Sequence, residues 1–176
     1  MSEPFVVAFV PGVTPGKWSR IWDERMRRER LEVTPLEQAA AIDALRSGEA
    51  HMALVRDLVA DDEFHVIPLY RELPVVVVAK DHPVTAFDTV AIEELDGETI
   101  LDGQGADTVE LVAANVGLAV MPQSVARAHS RRDVVARAVT GVPDTGIGLA
   151  WRRDVDDPRV EVFIGIVRGR TANSSR

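Results

Sequence analysis

The chain has 176 residues, 46% of them hydrophobic, enough for one α/β domain or for two small lobes sharing a hinge. A formal net charge of -8 weighs against a free-standing nucleic-acid binder, since phosphate affinity comes largely from clustered Lys and Arg. The absence of cysteine excludes disulfides, thiolate nucleophiles and Cys-based zinc sites together, and fits a reducing compartment.

Phe5 to Val10 is continuously apolar and β-rich, the pattern of a strand buried on both faces of a mostly parallel sheet. It is too short for a signal-peptide core and has no basic leader, and no later run approaches the roughly 20 apolar residues that span a bilayer, so a cytoplasmic protein is expected. After the loop Pro11 to Gly16, the residues Trp18, Ile21, Trp22 and Met26 recur at helical spacing. Leu31 to Leu36 reads as the next strand. Residues 37–46 read as a helix closed by Gly48, and Met52 to Val55 as a third strand. This alternation predicts right-handed crossovers and a parallel sheet with helices on its faces.

Two strands follow, Phe64 to Tyr70 and Pro74 to Ala79, the second carrying four consecutive valines that demand full burial. Ile92 to Leu95 reads as one helical turn and Glu98 to Leu101 as a strand. Asp107 with Glu110 predicts a capping box for a helix whose inward stripe is Val109, Val112, Ala113 and Val116, closed by Gly117. Leu118 to Met121 reads as a strand, with Pro122 in the first turn of a helix over residues 123–130. Val134 to Val139 and Ile147 to Trp151 are further strands. Asp157-Pro158 marks the start of a last helix with Val160, Phe163, Ile164 and Val167 inward, and a frayed tail is expected over residues 171–176. The arginine clusters 25, 27, 28, 30 and 127, 131, 132 sit among acids and read as solvated faces.

Four strings in this order resemble the effector-binding domain of LysR-type transcriptional regulators, whose fold is that of the type 2 periplasmic solute-binding proteins. They are residues 45–56 (LRSGEAHMALVR), 67–83 (IPLYRELPVVVVAKDHP), 109–122 (VELVAANVGLAVMP) and 147–153 (IGLAWRR). The resemblance implies an α/β, two-lobed fold, with lobe one at residues 1–73 plus 154–176 and lobe two at 74–153. Against the family pattern, the sequence opens directly at the first sensor strand, without the winged helix-turn-helix, so direct nucleic-acid binding is not expected. Only Asp102 to Ala106 stands where the family usually has a further helix and strand, which implies a truncated second lobe. His51 stands where the family commonly has Asp.

Ligand contacts are expected where open sheets bind them, outside the carboxyl ends of the strands. Gly12, Val13 and Thr14 form a Gly-flanked turn before a helix, which offers N–H groups and a hydroxyl to an anion; the plain alternative is a tight turn with Thr14 capping the helix. Glu37 and Gln38 stand at the family's second ligand loop, where Glu37 would repel an anion and Gln38 would donate from its amide, or both are ordinary first-turn residues. Arg56 ends the third strand and either reaches an acidic ligand or pairs with Asp57 or Asp61. Asp102 and Gln104 either close on the ligand or merely connect two elements. Trp18 and Trp22 suit core or dimer packing better than a ligand cage.

His51, His65, His82 and His129 are scattered without metal-ligand spacing, and no Gly-x-Ser-x-Gly surrounds a serine, so neither a metal site, a cofactor nor a catalytic triad is expected. The leading expectation is a non-enzymatic sensor of a small, anionic or aromatic effector, a homodimer or the associate of a regulator, with no membrane partner. A dimerising scaffold without ligand, and an enzyme on the same fold using Glu37 or Thr14, are the alternatives.

Overall fold

The computed structural model describes residues 2–169. In chain order the elements are β1 (Phe5–Phe9), α1 (Gly16–Arg25), β2 (Leu31–Pro35), α2 (Gln38–Ser47), β3 (Met52–Arg56), β4 (Phe64–Glu72) and β5 (Pro74–Ala79). Then come β6 (Thr89–Ala91), α3 (Ala106–Ala113), β7 (Ala119–Pro122), α4 (Gln123–Ala128), β8 (Val134–Thr140), β9 (Thr145–Arg152) and α5 (Pro158–Val167). The chain divides into two compact units: Met1–Leu69 with Ile147–Arg176, and Tyr70–Gly146.

In the first unit the strand order is β2-β1-β3-β9-β4. β1 runs parallel to both neighbours, with Val7 opposite Val33 on one side and Met52 on the other. This is the predicted βαβαβ start, and it explains why Phe5, Val7 and Ala8 are fully buried. The sheet is mixed, however, because β9 joins β3 antiparallel, Ala53 opposite Ala150. Residues 147–152, expected in lobe two, therefore belong to the first sheet. A short apolar strand carries no local mark of its partner, and here Ile147, Leu149 and Ala150 fill the first core. Gly148 lets β4 close on it, since a Cβ there would lie 2.8 Å from Val66 Cγ1.

Trp22 on α1 stacks on Phe5 at 5.1 Å and 4°, with Phe163 of α5 at 6.1 Å from each ring. The indole N–H donates to Glu29 O at 2.8 Å, so this buried tryptophan keeps its polar atom satisfied. α2 ends as expected at Gly48, whose φ of 81° suits a residue without a Cβ. α5 starts as expected too: Asp157 accepts from Arg159 N at 2.9 Å with Pro158 in the first turn.

The second unit holds a sheet of order β6-β8-β5-β7, with β5 antiparallel to β7 and β8 and β6 parallel to β8. The four valines of β5 alternate between two cores. Val75 and Val77 pack with Val109, Val112, Met121 and Val125, whereas Val76 and Val78 pack with Val84, Val90, Leu95, Leu118 and Val139. Each buried valine contributes about 1.5–3 kcal/mol, so this strand anchors the unit.

Three local expectations change here. Residues 98–101 form a single parallel bridge, Ile100 to Leu118, instead of a strand, and the three-residue β6 stands before them without having been anticipated. α3 is headed by Gly105 with no side-chain cap, so Asp107 and Glu110 make no capping box. Pro122 closes β7 instead of sitting inside α4. The tail over residues 171–176 lies outside the described residues.

Candidate functional site

Six of the eight candidate residues meet at one edge of the first unit, where the adjacent strands β2, β1 and β3 end. The turn after β1 is tied to β3 by Val10 N donating to Leu54 O at 3.1 Å. Gly12 adopts φ 88°, a left-handed conformation that glycine enters without strain. Val13 is turned inward at 4% exposure, and its N–H donates to Val10 O at 3.2 Å. It therefore offers a ligand neither an apolar side chain nor a free amide, contrary to the expectation of a contact. Thr14 is exposed, and no side chain caps α1, so the capping alternative for Thr14 is not what folds. Pro15 at the cap position has no N–H, which leaves the amides of Gly16 and Lys17 at the head of the helix dipole.

Gln38 differs most from the sequence reading. Its side-chain amide grips the backbone of Arg56: Nε2 donates to Arg56 O at 2.6 Å, and Oε1 accepts from Arg56 N at 3.0 Å. The amide expected to donate to a ligand instead fixes the start of α2 to the end of β3. Glu37, at the α2 cap position, is exposed and does not cap the helix. Asp57, which follows Arg56, holds φ 47°, so the chain turns sharply as it leaves the strand.

Asp102 and Gln104 lie in the second unit, exposed, on the loop before α3. Gly103 adopts φ 103° there, and a Cβ on it would lie 2.5 Å from Thr108 Oγ1.

A second polar cluster occupies the amino end of β1 and β3. His51 Nδ1 accepts from Val6 N at 3.0 Å, and its ring lies 4.9 Å from Phe5. Arg159 pairs with Asp157 at 2.7 Å and with Glu29 at 3.5 Å, and its guanidinium sits over the Phe5 ring at 5.3 Å. Burial first, and the Arg159 charge second, hold the His51 imidazole below its ordinary value. Hydrogen bonding from Arg159 holds the Asp157 carboxyl below the usual range. This cluster ties α5 to β1 and to the loop before β2.

Among the described residues no group of His, Asp and Glu is arranged to hold a metal ion, and no helix is long and apolar enough to cross a membrane. The sequence profile of the LysR substrate binding domain matches residues 17–108 and 103–172. The chain belongs to the LysR substrate-binding domain family. A curated relative of this family, the Hca operon transcriptional activator HcaR of Escherichia coli, is 24% identical over 174 residues, covering 81% of this chain. The chain spans 58% of that relative's length.

The LysR-type fold is shared with solved structures. The effector binding domain of a BenM variant has a TM-score of 0.80 at 16% identity, covering 97% of this chain and 98% of that one. The regulatory domain of an OxyR variant from Pseudomonas aeruginosa has a TM-score of 0.75 at 21% identity, covering 96% and 97%. A BenM effector binding domain with its effector benzoate has a TM-score of 0.77 at 17% identity, covering 94% and 90%. The architecture is thus the two-unit α/β fold of periplasmic-binding-protein type that the four sequence strings implied.

Proposed function

We propose that this LysR-type domain senses a small effector, binding it at the carboxyl edge of β1, β2 and β3, and serves transcription regulation through a second copy or a partner regulator. The observation that carries this reading is the pair of helices, α1 and α2, that start at neighbouring strand ends with no side chain capping either. Their unpartnered amides and dipoles favour negative charge. At α1 the Gly12 turn and the Thr14 hydroxyl receive a carboxylate. At α2 the exposed Glu37 turns away a second anion and accepts from a hydroxyl or amine. The effector is therefore a carboxylic acid, aromatic or aliphatic, that also carries a hydrogen-bond donor. Arg56 completes the set of first-unit residues we assign to it, whereas Gln38 holds the site in shape.

The domain works without catalysis, without a cofactor and without contacting nucleic acid itself, in the cytoplasm. It pairs through Trp18, Ile21 and Met26, which are only partly covered by the first core, while Trp22 is wholly internal. Calorimetry against a panel of carboxylic acids, beginning with benzoate and hydroxybenzoates, is the test. Saturable binding by some of them, weakened about tenfold by Thr14→Ala, is expected. Absence of binding across the panel, or an affinity that Thr14→Ala leaves unchanged, removes the reading.

A further inference from the structure

The sheet of the second unit ends on β7, and just outside it residues 99–101 make one more step of strand. Leu101 N donates to Leu118 O at 2.7 Å and Leu118 N donates to Thr99 O at 2.8 Å. In such a parallel bridge the groups of Ile100 itself face the other way. Among the described residues, neither the N–H nor the C=O of Ile100 has a hydrogen-bond partner. Ile100 is 45% exposed. The edge is therefore open, short and apolar at its centre, the arrangement to which an extended chain adds a strand.

Beside this edge is a groove of about 410 Å³. Ile92, Leu95 and Ile100 give it apolar walls, and the carboxylates Glu93, Asp96 and Glu98 line it as well. The charged residues that line it are all acidic, with His82 Nε2 3.4 Å from the Glu98 carboxylate. Residues 81–126 hold nine Asp and Glu and no Lys or Arg. Acidic chains and nucleic acids are repelled here, and a second copy of the same edge meets its own carboxylates. A basic chain is attracted.

We propose that residues 99–101 and the adjoining groove form a docking site for an extended, basic segment of a partner protein. The segment pairs its backbone with Ile100, lays an apolar side chain between Ile92 and Leu95, and sets Lys or Arg against Glu93 and Asp96. Backbone pairing supplies affinity, while the groove and the charge supply selection. This site lies in the second unit, whereas Gly12, Thr14, Glu37 and Arg56 lie in the first.

The test uses the full chain and a blocked seven-residue peptide of alternating Lys and Val, with a Glu-for-Lys version and a version carrying a central Pro as controls. Calorimetry at low salt is expected to show saturable binding of the Lys peptide alone, weakening as salt rises. Amide exchange is expected to slow at Ile100. The variant Glu93→Gln/Asp96→Asn should lose on the order of tenfold in affinity while remaining folded, since the side chain that accepts from Ala91 N is that of Glu94. Binding that leaves Ile100 exchange unchanged, or that survives the double substitution, overturns the proposal. So does a failure of every peptide to bind. Self-association that Ile100→Pro abolishes, with no peptide bound, overturns it in favour of a second copy as the occupant.

Discussion

At the scale of single residues, what a side chain touches decides its role more than its type does. Val13 and Gln38 both stand in loops that the sequence marks as ligand-facing, yet one points into the core and the other grips a strand end 18 residues away. Neither fact leaves a trace in local composition. His51 is the clearest case of an environment setting chemistry. Its Nδ1 accepts a backbone N–H, so the native state requires the neutral ring, and burial with Arg159 nearby disfavours the charge. The folded value lies below the ordinary 6.5, so the native state holds the proton less tightly than the unfolded chain. Stability from this group is therefore complete above pH 6.5 and declines as pH falls below it. Urea midpoints followed from pH 7.5 to 5.5 should drop, and His51→Gln should flatten that slope; an unchanged slope would show that the imidazole is not responsible.

At the scale of elements, helices and buried strands were legible and pairings were not. The periodicity of α1, α2 and α5 and the valine run of β5 mark their buried faces, because apolar spacing repeats with the geometry of the element itself. β6 is three residues long with one of them buried, too little pattern to read. The expected strand over residues 98–101 had the composition but lacked a neighbour along its length. Gly117 sets how closely it approaches: a Cβ there would lie 2.6 Å from Thr99 O. The connection between α2 and β3 rests on Gln38. Gln38→Ala should cost about 1–3 kcal/mol in denaturant unfolding, because two backbone groups of Arg56 lose their partner. Gln38→Glu should not restore it, since a carboxylate places an acceptor against Arg56 O.

At the scale of the whole molecule, the first unit is assembled from both ends of the chain. β9 and α5 come from the last segment and close a sheet that the first 69 residues begin. Ile147, Leu149, Phe163 and Ile166 are each at most 1% exposed. Their burial contributes about 1.5–3 kcal/mol apiece, a sum comparable with the whole stability of a domain. A chain ending at residue 146 should therefore fail to fold its first unit, with rapid amide exchange through β1 and β3. Protected β1 and β3 amides in that fragment would contradict the account. Net charge is also unevenly placed, since residues 81–126 are acidic without relief, and this became a surface feature only once the sheet edge at Ile100 was located.

The sequence alone determined the family, the α/β class and the order of helices and strands through most of the chain. These follow from short-range rules: apolar periodicity, helix stops and starts, and motif order. The tertiary structure decided which strands pair, that residues 147–152 complete the first sheet, that Gln38 locks the candidate site where a ligand donor was expected, and that Ile100 faces outward with an unpaired backbone. Those depend on contacts between residues far apart in the chain, where a side chain's partner is set by the path of the whole backbone and not by its neighbours in sequence.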